Sequence, residues 1–140
     1  MSEPNLRLLL VEHWIQIAEE DYWAACTALA AKPPKLSVAG FATQQMAEKY
    51  LKAYLEYHGV EFPRTHDLRM LVVACSVLDG SFSTLTTAAS SLDEVGITPR
   101  YPPVRLTLTK ASDGLAQAEA IREFVRSRLP KTVLQSGVEE

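Results

Sequence analysis

Nine residues, QQMAEKYLK at positions 44–52, hold two amides, one carboxylate and two ammonium groups. Gln44, Glu48 and Lys52 stand four apart, which puts them on one face of a helix, with Gln45 and Lys49 beside them. Glu48 precedes Lys52 in the favourable order for a helical ion pair, so a solvated polar face is one sufficient reading. Phe41, Leu51 and Leu55 frame that polar centre with large apolar side chains, which fits a contact surface better. The occupant would be a second subunit, making Phe41, Leu51 and Leu55 a dimer face, or a ligand. Gln45, Lys49 and Lys52 are the candidate ligand contacts here, with Glu48 in support.

Two loops carry further chemistry. In GVEFPRTHDLR (59–69), Arg64, His66 and Asp67 fall at the predicted start of a helix. Unpaired N–H groups and the positive end of the helix dipole gather there and favour an anion. Asp67 is equally well explained as a carboxylate favoured by the same dipole. In ITPRYPPVRLTLTK (97–110) every charge is positive, and Pro99, Pro102 and Pro103 stiffen the chain. Arg100 beside Tyr101 suits a phosphate fork next to a ring that stacks on a base; a rigid surface loop pairing with the excess acid is the bland alternative. Asp21 interrupts the apolar stripe Leu10, Trp14, Ile17, Ala24 and Ala28. It must reach solvent or a cation, either as one half of a structural pair with Lys49 or Arg64 or as the carboxylate that orients the site's cations.

The chain that must position these groups has 140 residues, 47% of them hydrophobic and 22% charged, the balance of one globular domain. A formal charge of −3 argues against a protein that coats nucleic acid, while leaving room for a local cationic patch. No glycine-rich phosphate loop occurs, and His13, His58 and His66 have no metal-ligand spacing, so neither a metal nor a cofactor is implied. Cys26 and Cys75 lie in apolar helical patterns as inert core thiols. The N-terminus lacks a signal-peptide pattern and no run is long enough to span a membrane, so the expected location is cytoplasmic.

Prolines and glycines divide the chain into helical segments of about 5–31, 37–58, from 65, from 82, and 109 or 112 to 129. The expected fold is all-α, an up-and-down bundle of four to five helices over residues 5–129, followed by a short mobile tail at 130–140. RLTLT at 105–109 is the one strand candidate and is too short to pair alone.

The segment FATQQMAEKYLKAYLEYHGVEFPRTHDL (41–68) resembles the HEPN family, the higher-eukaryote and prokaryote nucleotide-binding domain. An alanine-rich first helix with Asp21, the PRYPP loop and the final helix with AEAIREFV support the likeness, which covers nearly all of 5–129. The resemblance implies a prokaryotic helical bundle, usually homodimeric, often encoded beside a minimal nucleotidyltransferase in a toxin–antitoxin-like pair, with nucleotide or RNA binding as its business. Many such proteins are ribonucleases with an Arg-x4-6-His motif on a late helix. Here no histidine follows His66, and Arg7 with His13 matches the spacing only at the start of the first helix. The implied function is therefore a module that binds a nucleotide or RNA end through Gln45, Lys49, Lys52, Arg64, His66, Asp67, Arg100 and Tyr101. A metal-free ribonuclease using His66 and Arg64 is the alternative, and a purely structural dimerisation module is the third reading.

Overall fold

Residues 3–97 and 106–135 are described by a computed structural model, and over them all the regular secondary structure is helical. The order is α1 (Glu3–Ala30), α2 (Leu36–Tyr57), α3 (Leu68–Leu78), a 3₁₀ turn (Gly80–Leu85), α4 (Thr86–Ile97), α5 (Leu108–Arg126) and α6 (Lys131–Gln135). No helix among the described residues is long and apolar enough to cross a membrane.

The three-four spacing of Val11, Ile15, Ala18, Ala25 and Ala28 buries one stripe of α1 along α2. The two helices form a hairpin, closed where Lys35 N–H donates to the carbonyl of Ala28 at 2.9 Å. The α2 helix is the axis of the bundle, in contact with α1, α3, α4 and α5. Its enclosure overturns one expectation. Leu51 and Leu55 are 0% exposed and belong to the main core, so they form no dimer face; of that trio only Phe41 reaches the surface, at 43% exposure. The physical reason is that α3 covers this side, with the Cys75 thiol against the carbonyl of Leu51 at 3.7 Å.

The end of α2 sets the next turn. Gly59, at φ 65°, is the residue after the C-cap. Its N–H donates to Glu56 and that of Val60 to Leu55, the paired bonds of a Schellman ending. The guanidinium of Arg7 packs on this glycine, where a Cβ would lie 2.7 Å from its Cζ. The chain then runs extended to α3, which starts later than the expected 65, with Asp67 as its N-cap: Asp67 accepts from the N–H of Arg69, while Thr65 accepts from that of Asp67.

Two other boundaries differ from expectation. The fourth segment opens as a 3₁₀ turn because Asp79 caps it through Ser81 N–H and is itself held by Arg128 at 3.1 Å. Thr107 caps α5, so Leu108 and Thr109 of the strand candidate are helical. Residues 131–135, expected in a mobile tail, form α6, because Val133 is buried in the core and Leu134 packs against it.

Candidate functional site

Between α2, the turn before α3 and the inner side of α4 lies a cavity of about 490 Å³, lined by Phe41, Gln44, Gln45, His66, Asp67, Arg69, Asp93 and Gly96. The helical period of α2 delivers the first three, the Asp67 cap fixes the next group, and α4 brings Asp93 and Gly96 from the other side. Gly96 is required by close approach: a Cβ there would lie 2.9 Å from Cγ of Gln44.

Behind the cavity stands Glu48, its side chain 1% exposed. It accepts from Lys52 Nζ at 3.1 Å and from His66 Nδ1 at 2.9 Å, with Lys49 Nζ at 3.4 Å. Burial pushes its carboxyl up, but the hydrogen bond from His66 and the charges of Lys49 and Lys52 outweigh this and hold it below the usual carboxylate range. Lys52 is sandwiched further by the rings of Trp14 and Phe62, at 5.6 and 6.0 Å. The imidazole of His66 is 82% exposed yet anchored at Nδ1. A carboxylate at Nδ1 keeps the proton there and leaves Nε2 as the free nitrogen of the neutral ring.

A line of amides joins this centre to the far wall. Lys49 Nζ donates to Gln45 Oε1 at 2.7 Å, Gln45 Nε2 to Gln44 Oε1 at 2.8 Å, and Gln44 Nε2 to the carbonyl of His66 at 2.8 Å, with Asp93 Oδ1 at 3.5 Å. Asp93 receives the first N–H of α3, that of Leu68, on both oxygens at 3.2 and 3.0 Å. Burial, then the hydrogen bond and charge of Asp67, push Asp93 up to about 6, against the N–H of Leu68 and the amide of Gln44. Asp67 itself, despite some burial, is held low by its hydrogen bond with Asp93 and by the N–H and charge of Arg69. Of the two carboxyls it is Asp93 that takes up a proton first, as pH falls through about 6.

The expected site residues divide accordingly. Gln45, His66 and Asp67 line the cavity, with Glu48 and Lys49 behind them. Lys52 lies beyond Glu48, under Trp14, and does not line it. Arg64 is exposed, makes no hydrogen bond or ion pair among the described residues and stands outside the cavity, because the extended turn carries it away from α2. Asp21 is half-buried on α1 and has no direct bond to a cation. Burial raises its pKa while the charge of Lys49 opposes the rise, and it lines a neighbouring hollow with Phe41 and Gly96. Arg100 and Tyr101 lie outside the described residues. Asp93, Arg69 and Gly96 escaped the sequence reading. In SSLDEVG an aspartate beside a glutamate reads as the solvent side of a helix, and nothing local marks its partner 25 residues away.

Comparison with known proteins agrees with this architecture. The family model of the HEPN domain matches residues 11–128. The crystal structure of an archaeal HEPN homologue superposes with a TM-score of 0.67 at 28% identity, over 84% of this chain and 96% of that one. No curated protein matches the sequence.

Proposed function

The chain belongs to the HEPN domain family, and from that premise we propose that it is a helical module that binds a nucleotide or an RNA end. The observation that carries the reading is the cavity between α2, α3 and α4, with an aromatic wall at Phe41 and polar groups already bonded into place. Sites of this size with a few fixed polar groups suit small ligands. Phe41 stacks on a base, Gln45, His66 and Asp67 meet its polar edge, and Arg69 stands at the rim for a phosphate. Lys49 and Lys52, bound to Glu48, act by holding the frame rather than by contact. Arg100 and Tyr101 belong to the proposal on their sequence alone.

The module acts as a homodimer through α1 and α2, where Trp23 and Val38 are exposed apolar residues, and it partners a nucleotidyltransferase. Isothermal titration with ATP, GTP and a short single-stranded RNA tests the binding, alongside the Phe41→Ala, Arg69→Ala double variant. Saturable binding that disappears in the variant is the expected result; equal affinity in both proteins would remove the cavity from the reading. Sedimentation across a concentration series tests the dimer.

The anchoring of His66 by Glu48 favours a second reading, metal-free cleavage of RNA with Nε2 of His66 as the proton acceptor. It requires activity that is lost in His66→Ala, and Arg64, standing apart, has no part in it.

A further inference from the structure

We infer that the inner end of the cavity takes the hydrogen-bond-donating edge of a base, guanine before any other, and leaves the phosphate at the mouth. This rests on the nucleotide-binding reading and assigns its ligand a class and an orientation.

The sign of the walls carries the inference. Asp67 and Asp93 face the cavity together. The lysines expected as ligand contacts are held elsewhere: Lys49 by Gln45 and Glu48, Lys52 by Glu48 and the ring of Trp14. Arg69 is the one arginine or lysine among the described lining residues, and its side chain is mostly exposed, with Nε 3.7 Å from Asp67. A phosphate pushed inward would therefore meet two carboxyl groups at short range, where like charges repel most. At the mouth it would meet the guanidinium of Arg69.

The inner wall is instead rich in acceptors. A carboxylate offers about four lone-pair sites. Leu68 N–H, on both oxygens, and the long contact from Gln44 leave some of those on Asp93 unused, while Asp67 is more fully engaged, by Arg69 N–H and by Asp93. Among the common bases only guanine has two donors side by side, the ring N–H and the exocyclic amine, which is the pattern a carboxylate accepts in a bidentate pair. Adenine and cytosine set an acceptor nitrogen beside their amine, and uracil flanks its single N–H with two carbonyls. The guanine carbonyl needs a donor, and Gln45 has one: its amide gives one N–H to Gln44 and keeps the second. Phe41 supplies the stacking wall.

Proton binding opposes this ligand. The groups facing Asp93 are Asp67 and Arg69 from the start of α3, Gln44 from α2 with Glu48 behind His66, and Glu94 on its own helix, turned outward. When the carboxyl pair takes up its proton, one acceptor becomes a donor that faces the donors of guanine. Affinity for guanine therefore falls as pH drops below about 6.

The test is isothermal titration of the full chain with guanosine, guanosine monophosphate, adenosine, cytidine and uridine at pH 7.5 and pH 5. Guanosine and its monophosphate should bind within a few-fold of each other and about ten-fold or more above the other nucleosides, with the gap narrowing at pH 5. Asp93→Asn should erase the preference. Because Asp93 also caps Leu68, Asp67→Asn is run beside it, with circular dichroism on both, and should cut the preference in the same direction. Nucleosides bound without discrimination would overturn the inference and leave nucleotide binding standing, as would a monophosphate that binds while guanosine does not. Silence from every ligand would end both.

Discussion

The carboxylate of Glu48, closed off from solvent, lies 2.9 Å from Nδ1 of His66, whose ring is almost wholly exposed. One buried charge thus fixes an imidazole at the surface and, with Lys49 and Lys52, two ammonium groups. Removing the anion strands those cations in a place water barely reaches.

Glu48→Ala should therefore cost about 3–5 kcal/mol of stability, the scale seen when one partner of a buried pair is lost. Glu48→Gln keeps an acceptor and should cost less. The Glu48 carboxyl is held below its ordinary 4.5 in the fold, so its contribution is present above that value and lost as pH falls through the lowered one. Urea midpoints of wild type and Glu48→Gln should differ at pH 7 and draw together as pH falls below about 4.5. A gap that stays constant with pH would show that charge is not what Glu48 contributes.

Asp93 has the opposite sign. Its carboxyl is pushed up to about 6 from 3.8, so the stability tied to its protonated form is complete below 3.8 and lost as pH rises through about 6. Asn keeps an oxygen for Leu68 N–H and has no charge to desolvate. Relative to Asp93→Asn, the wild type should lose about 1–2 kcal/mol between pH 4 and pH 8, a shift of about two pK units discounted for solvent screening. Denaturation of both proteins at the two pH values checks this; a difference that does not move with pH would contradict the raised carboxyl of Asp93.

The helices were legible because Val11, Ile15 and Ala18, or Leu68, Leu71, Val72 and Cys75, keep the helical period where they meet the core. What was not legible is the burial of α2 on all sides. A period count treats Gln44, Glu48 and Lys52 as a solvent stripe, yet all three are buried, their polar atoms satisfied by one another and by His66 and Asp93. Their partners lie 18 to 49 residues away, and local spacing carries no record of that distance. The same blindness put Leu51 and Leu55 on a surface and left Asp93 unnoticed. The residues 41–68 that resembled a family did hold most of the cavity, but the wall opposite α2 came from α4.

At Gly96 the backbone of α4 lies close against the Gln44 side chain of α2. An added methyl would sit 2.9 Å from Cγ and 3.0 Å from Cβ of Gln44, the root of that side chain rather than its movable end. Gln44 would have to swing away, breaking its bonds to His66 and Asp93. Gly96→Ala should cost about 1–3 kcal/mol and lower the thermal midpoint by about 5 °C, with ligand affinity falling alongside. Gly80→Ala, whose methyl would meet nothing within 4 Å, is the control and should stay near wild type.

Leu55 and Phe41 separate core from surface on one helix. Leu55 has no exposed area and sits in the main core, so Leu55→Asp buries a carboxylate without a partner. That should cost more than about 4 kcal/mol and abolish the cooperative melt, rather than merely release a dimer. Phe41 is 43% exposed at the edge of the cavity, and Phe41→Ser should keep the helical circular dichroism and most of the thermal midpoint while losing ligand. Sedimentation and melting of the two variants together decide the point. A folded, monomeric Leu55→Asp protein would return Leu55 to an interface, and an unfolded Phe41→Ser protein would place that ring in the core.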